Sequence, residues 1–180
     1  MENLKRFFIN GEWVDPISDQ NMLVINPATE EQIGTVALGN ASDVDLAVEA
    51  ASAAFDQFSQ TTKMDRLDLL KSVMVITERR LEDLAQAMRM EMGAPITMAR
   101  SSQADAAIGH LDGYIAALEK LEEQERFENG ELLLREPIGV CGLITPWNWP
   151  MNQVVLKVLP VIATGSVSYT HLTLPTILLV

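Results

Sequence analysis

The run from Ile138 to Ala163 constrains this chain most. Ile138 to Ile144 is mostly apolar and carries two glycines, Gly139 and Gly142. Such a run suits a strand covered on both faces. The loop Thr145-Pro146-Trp147-Asn148-Trp149-Pro150 follows. Val154 to Ala163 then reads as an amphipathic-to-buried helix starting near Pro150, a good first-turn residue. Strand, loop and helix in that order predict an α/β fold, in which ligands bind at the carboxyl ends of strands. Two prolines stiffen the loop and two tryptophans can wall a pocket. Asn148 offers a held N–H donor, the kind of group that stabilises a developing oxyanion. The same residues also fit a rigid surface turn with a core tryptophan on each side.

Upstream, the chain reads as strands and then helices. Phe7-Phe8-Ile9 and Trp13-Val14 flank Asn10-Gly11, which supplies the positive φ of a tight hairpin turn. Met22 to Ile25 is extended and stops at Asn26-Pro27. Gly34 to Ala37 predicts a further short strand. Helical periodicity begins at Ser42, read as a cap with Asp45 in the first turn. Val44, Ala47, Val48, Ala51, Ala54, Phe55 and Phe58 form its apolar face. A second helix starts near Met64-Asp65, with Leu67, Leu70, Val73, Met74 and Thr77 inward. A third, Leu81 to Met92, stops at Gly93-Ala94-Pro95. The pattern then predicts one long helix from Pro95 to Glu123, and a strand over Glu131 to Glu136 after the turn Asn129-Gly130. Met88, Met90, Met92 and Met98 read as gap-fillers on helix faces.

The 180 residues carry 25 acidic and 13 basic side chains, a net charge of −12, which argues against a nucleic-acid partner. One cysteine, Cys141, cannot form an internal disulfide. The N-terminus lacks the apolar stretch of a signal peptide, and no run reaches the length of a membrane span. These features give the expectation of a cytoplasmic protein with no membrane partner. His110 and His171 have no cysteine or carboxylate at metal or triad spacing, so no metal is expected and both read as non-catalytic.

Several segments, in order, resemble the aldehyde dehydrogenase superfamily. These are Phe8-Ile9-Asn10-Gly11-Glu12-Trp13, Ile25-Asn26-Pro27-Ala28-Thr29-Glu30 with Ile33-Gly34, and Asp43 to Phe55. Glu91-Met92-Gly93-Ala94-Pro95, Arg135 to Val140 and the Pro-Trp-Asn-aromatic-Pro loop at 146–150 complete the set. The resemblance covers about residues 7–165. It implies the helix-rich N-terminal part of a Rossmann-type cofactor domain with an incomplete sheet. It also implies an enzyme that oxidises a small-molecule aldehyde with NAD or NADP, NAD being favoured. Asn148 matches the family's oxyanion asparagine. Ile144, Thr145, Pro146 and Trp147 match its cofactor-lining stretch, which works largely through backbone. Leu132 to Glu136 falls in the oligomerisation arm, so the resemblance implies a homo-oligomer at full length.

The resulting division is 1–120 as the N-terminal part of the cofactor domain, 121–137 as the arm and 138–165 as the first Rossmann strand, loop and helix. Residues 166–180 depart from the family's expected strand and ribose-binding motif and are read as an aberrant tail, as from a frameshift or adapter. The family's nucleophilic cysteine and general-base glutamate lie beyond position 165 in relatives. Cys141, inside an apolar strand, is read as an inert buried thiol. A chain so truncated is expected to be inactive alone and to expose apolar surface. The alternative is a non-catalytic interaction module that pairs through Leu132 to Glu136 with full-length subunits.

Overall fold

The computed structural model describes residues 5–171. Two antiparallel hairpins open the chain: β1 (Phe7–Ile9) with β2 (Glu12–Val14), and β3 (Asn21–Ile25) with β4 (Gln32–Ala37). Asn10 (φ 52°) and Gly11 (φ 80°) make the first turn, as the Asn-Gly pair predicts.

Helix α1 (Ala41–Phe58) starts earlier than the sequence reading has it. Asn40, not Ser42, is the cap. It and Asp43 form a reciprocal capping box, with Asn40 accepting from the Asp43 amide at 3.1 Å and donating back at 2.9 Å. The buried Asp43 carboxylate also accepts the amides of Ile17 and Ser18, at 2.7 and 3.2 Å, tying the loop after β2 to the helix. Ala54, expected on the apolar face, is exposed, whereas Ala51 is buried and Phe55 and Phe58 are half-buried.

Helix α2 (Lys63–Arg79) has its own capping box, Thr62 with Asp65. Its inward residues are those the periodicity gives: Leu67 and Leu70 are buried, and Val73, Met74 and Thr77 are half-buried. Helix α3 (Leu81–Met92) ends at Gly93 in the left-handed region, φ 72°. The long helix expected from Pro95 to Glu123 is not continuous. It breaks into α4 (Ile96–Met98), a π-helical segment (Ala99–Ala104) and α5 (Ala106–Lys120). Arg100 on the π segment makes a two-pronged bond to Glu82 of α3, at 2.8 and 2.6 Å, which holds the Glu82 carboxyl down at about 2.

Leu121 leaves the helix in extended conformation, and β5 (Gln124–Arg126) pairs antiparallel with β6 (Leu132–Leu134). β5 carries no strand signal in its residues, and β6 is shorter than the expected Glu131 to Glu136. Strand β7 (Val140–Ile144) and helix α6 (Pro150–Ala163) stand where expected. Beyond them β8 (Val167–His171) lies parallel to β7, in register Val140 to Val167 through Ile144 to His171. The chain therefore holds a β–α–β unit and not a single parallel strand. Buried Ser166 accepts the Ile138 amide at 3.0 Å, and Val167 donates to the Gly139 carbonyl at 3.2 Å. Residues 172–180, the rest of the segment read as a tail, lie outside the described residues.

Two apolar clusters hold the helices. Leu67, Leu70, Ala107, Leu111, Leu118, Val155, Leu159 and Ala163 join α2, α5 and α6. Ala85, Met88, Ala94, Ala99 and Ala104 join α3 to the π segment, and Met92 packs against them. Met88 and Met92 thus fill core space, whereas Met98 is exposed. The covering of β7 differs from expectation. Leu143 is buried and Cys141 half-buried on one face, but Val140 and Ile144 on the other are exposed. Ile138 is 87% exposed, in keeping with the expected apolar surface.

One buried cation joins three segments. Arg66 of α2 is 4% exposed. Its Nε donates to the Ala163 carbonyl at the end of α6 (3.0 Å), one terminal nitrogen to the Thr61 carbonyl and the other to Glu123 after α5. Gly165, at φ 76°, lets the chain turn past it: a Cβ there would sit 3.0 Å from Pro137 and 3.4 Å from the Arg66 guanidinium. Arg66→Ala should cost about 3 kcal/mol, since three charge-assisted bonds go and buried carbonyls are left unpaired. The urea midpoint checks this, and an unchanged midpoint contradicts it. Gly93→Ala should cost about 1–2 kcal/mol by the same assay, through a left-handed backbone and a Cβ placed 2.7 Å from Pro27 Cγ.

Candidate functional site

The loop between β7 and α6 lies at the carboxyl end of a parallel strand, where α/β folds bind ligands. Its conformation follows from its residues. Pro150 takes the first helical position of α6, where its missing N–H costs nothing. Trp149 precedes it at φ 56°, ψ 58°, a left-handed conformation unusual for a bulky side chain. Such a backbone costs on the order of 1–3 kcal/mol and persists only where its surroundings impose it. The first helical bond of α6 runs from the Gln153 amide to the Trp149 carbonyl at 3.0 Å.

The residues singled out from sequence lie together on this turn. Ile144 is 64% exposed and ends β7. Thr145 turns inward and is 3% exposed, with its hydroxyl unpartnered among the described residues. Pro146 is half-buried, and Trp147, Asn148 and Trp149 are exposed. Neither tryptophan is a core residue, so the rigid-turn reading with core tryptophans does not describe this loop. Asn148 is exposed between Trp147 and Trp149. Exposed Ile144 and Trp147 flank the buried Thr145 on this turn.

Cys141 lies on β7 opposite Ser168 and is half-buried, not fully buried as expected. His110 on α5 has a partner that the sequence did not suggest: its Nε2 is 2.7 Å from Asn152 Oδ1 in the first turn of α6. The two are 42 residues apart, and only the packing of α5 on α6 reveals the pair. Among the described residues no group of histidine, cysteine and carboxylate side chains could hold a metal ion. No helix among them is long and apolar enough to cross a membrane. A polar cavity of about 230 Å³ beside Arg66 is lined by Thr61, Glu123, Arg135 and Thr164 among others, but Arg66 and Arg135 are both engaged internally.

The aldehyde dehydrogenase family model matches residues 13–171. The chain belongs to the aldehyde dehydrogenase family. It is 45% identical over 166 residues to a 3-succinoylsemialdehyde-pyridine dehydrogenase from a Pseudomonas species, covering 92% of this chain and 35% of that protein. Among solved structures it resembles an aldehyde dehydrogenase from Bartonella henselae, with a TM-score of 0.91 at 41% identity, over 94% of this chain and 36% of the other. A Pseudomonas syringae aldehyde dehydrogenase C variant, solved with NAD+ and octanal, matches with a TM-score of 0.91 at 43% identity, over 93% and 34%. The chain thus spans about a third of the length of the relatives it matches. The family match reaches residue 171, past the 165 at which the sequence reading ends the resemblance.

Thr145→Val should leave stability unchanged or raise it by about 1 kcal/mol, because an unpartnered buried hydroxyl gives way to a methyl of the same shape. A clear loss in the urea midpoint would show that the hydroxyl is bonded in solution.

Proposed function

We propose that the full-length protein to which this chain corresponds oxidises a small-molecule aldehyde to a carboxylate with NAD or NADP, and that this chain supplies its oxyanion loop. The observation that carries this reading is the placement of Asn148, exposed on a stiff turn at the carboxyl end of β7. When a thiolate adds to the aldehyde carbon, a C–S bond forms and the carbonyl oxygen takes up the negative charge. The Asn148 side-chain N–H donates to that oxygen. A donor already in place has no reorganisation cost when charge develops, and removing one typically costs about 3–4 kcal/mol of transition-state stabilisation. The nicotinamide cofactor, when bound, accepts the hydride. Ile144, Thr145, Pro146 and Trp147 would hold it, chiefly by main chain and apolar surface. NAD+ in the Pseudomonas syringae structure supports NAD as the cofactor, and octanal there supports an aldehyde substrate.

The thiolate and the general base are not assigned to this chain. Cys141 sits within β7, paired to β8, and not on the loop. Partner contacts are assigned to the β5–β6 hairpin. Leu132, Leu133 and Leu134 are all exposed on it, and β6 pairs only with β5 among the described residues. Three adjacent exposed leucines on an open edge suit strand addition from a neighbouring subunit.

In the full-length protein, Asn148→Ala should lower kcat about 100- to 1,000-fold and leave NAD+ affinity within a factor of about two. An unchanged kcat would remove Asn148 from the mechanism. The chain alone should form no reduced nicotinamide from an aldehyde. Turnover by the chain alone that Cys141→Ala abolishes would overturn the assignment of the nucleophile elsewhere.

A further inference from the structure

We propose that His110 is a positioning residue for the Asn148 loop, acting through Asn152. The inference rests on the reading of Asn148 as the oxyanion donor, and it follows from how the start of α6 is held. Helices α1 and α2 each begin with a side-chain capping box. Helix α6 has none: Trp149 at its cap makes no side-chain bond, and its first turn carries no acidic residue. Yet this turn must fix the loop that presents Asn148, and a catalytic group needs placement to within about 0.5 Å.

Two contacts take the place of the cap. Met151 packs against both apolar clusters, which seats the turn without fixing its rotation. Asn152 supplies direction through its 2.7 Å bond to His110. Because Asn152 offers its carbonyl oxygen, His110 Nε2 is the donor, and the neutral imidazole carries its proton there. The other end of this strut is anchored. Ala107 and Leu111, on either side of His110 along α5, are fully buried. Asn148 stands just before α6 and Asn152 in its first turn, and the Trp149 and Pro150 between them are stiff. A shift of the first turn of α6 therefore moves the Asn148 carboxamide with it. Imidazole suits the task because it is rigid beyond two side-chain torsions.

The test has two arms. In this chain, hydrogen exchange is followed at the amides of Gln153, Val154 and Val155, the first in α6 with helical acceptors. His110→Leu should speed exchange there about tenfold, the scale of one lost hydrogen bond, and leave the α2 amides at Leu67 and Leu70 unchanged. His110→Gln, which places an N–H near the position of Nε2, should restore protection. Asn152→Leu should reproduce the defect, and the double variant should add nothing to it. Wild-type protection in both leucine variants would overturn the strut.

In the full-length protein, His110→Leu should lower kcat about 10- to 100-fold, the range for a misplaced catalytic group, with KM for NAD+ unchanged and kcat recovered in His110→Gln. Faster exchange with an unchanged kcat would overturn the positioning role. A wild-type full-length protein that oxidises no aldehyde would instead defeat the proposed function and leave the exchange result standing.

Discussion

The buried guanidinium of Arg66 is the interaction on which the site's geometry depends. A cation taken out of water is costly unless every face of it is bonded. Here it reaches the Thr61 carbonyl before α2, Glu123 after α5 and the Ala163 carbonyl closing α6. The apolar cluster of α2, α5 and α6 brings these segments together, and Arg66 fixes how far each advances along its axis. Its bond to Ala163 sets where α6 ends, just before Gly165 turns the chain into β8. With that end fixed, the position of the loop at the other end of α6 is a matter of helix length.

That opposite end is where local preferences are set aside. Trp149 adopts a backbone that suits glycine, and its helix begins without a cap. Thr145 buries a hydroxyl with no partner among the described residues. These departures fall within five residues around Asn148. Others lie elsewhere, in the positive φ of Glu30 (61°) and in the π segment, where Gln103 Oε1 is buried without a partner among the described residues. What sets the loop apart is that its strained backbone stands at the carboxyl end of a parallel strand, which suits the proposed site.

Much of this was legible in the residues. Asn10-Gly11 and Gly93 act through backbone freedom, a local property, and the turn and helix end they mark are where the sequence puts them. Leu67, Leu70, Met88 and Leu111 repeat with helical period and are buried. What was not legible depends on partners far along the chain. Asn40 caps α1 because Asp43 also gathers the amides of Ile17 and Ser18. The π segment at Ala99 to Ala104 keeps a helical composition, so periodicity alone runs straight through it. β8 carries Val167, Tyr169 and Thr170, which favour strands, but with the resemblance read as ending at Gly165 the segment passes for a tail until β7 supplies its register. For the candidate site, the loop residues are proposed from sequence, but the burial of Thr145 and the bond between His110 and Asn152 need three dimensions.

The central claim is that Asn148 is carried on a β–α–β unit, with β8 parallel to β7 and α6 between them. Cross-strand nuclear Overhauser contacts in this chain test that most directly. The account predicts contacts in parallel register, with Gly142 beside Tyr169 and Val140 beside Val167, and slow amide exchange along both strands. Residues 167–171 exchanging at random-coil rates, with no contact to 140–144, would contradict it.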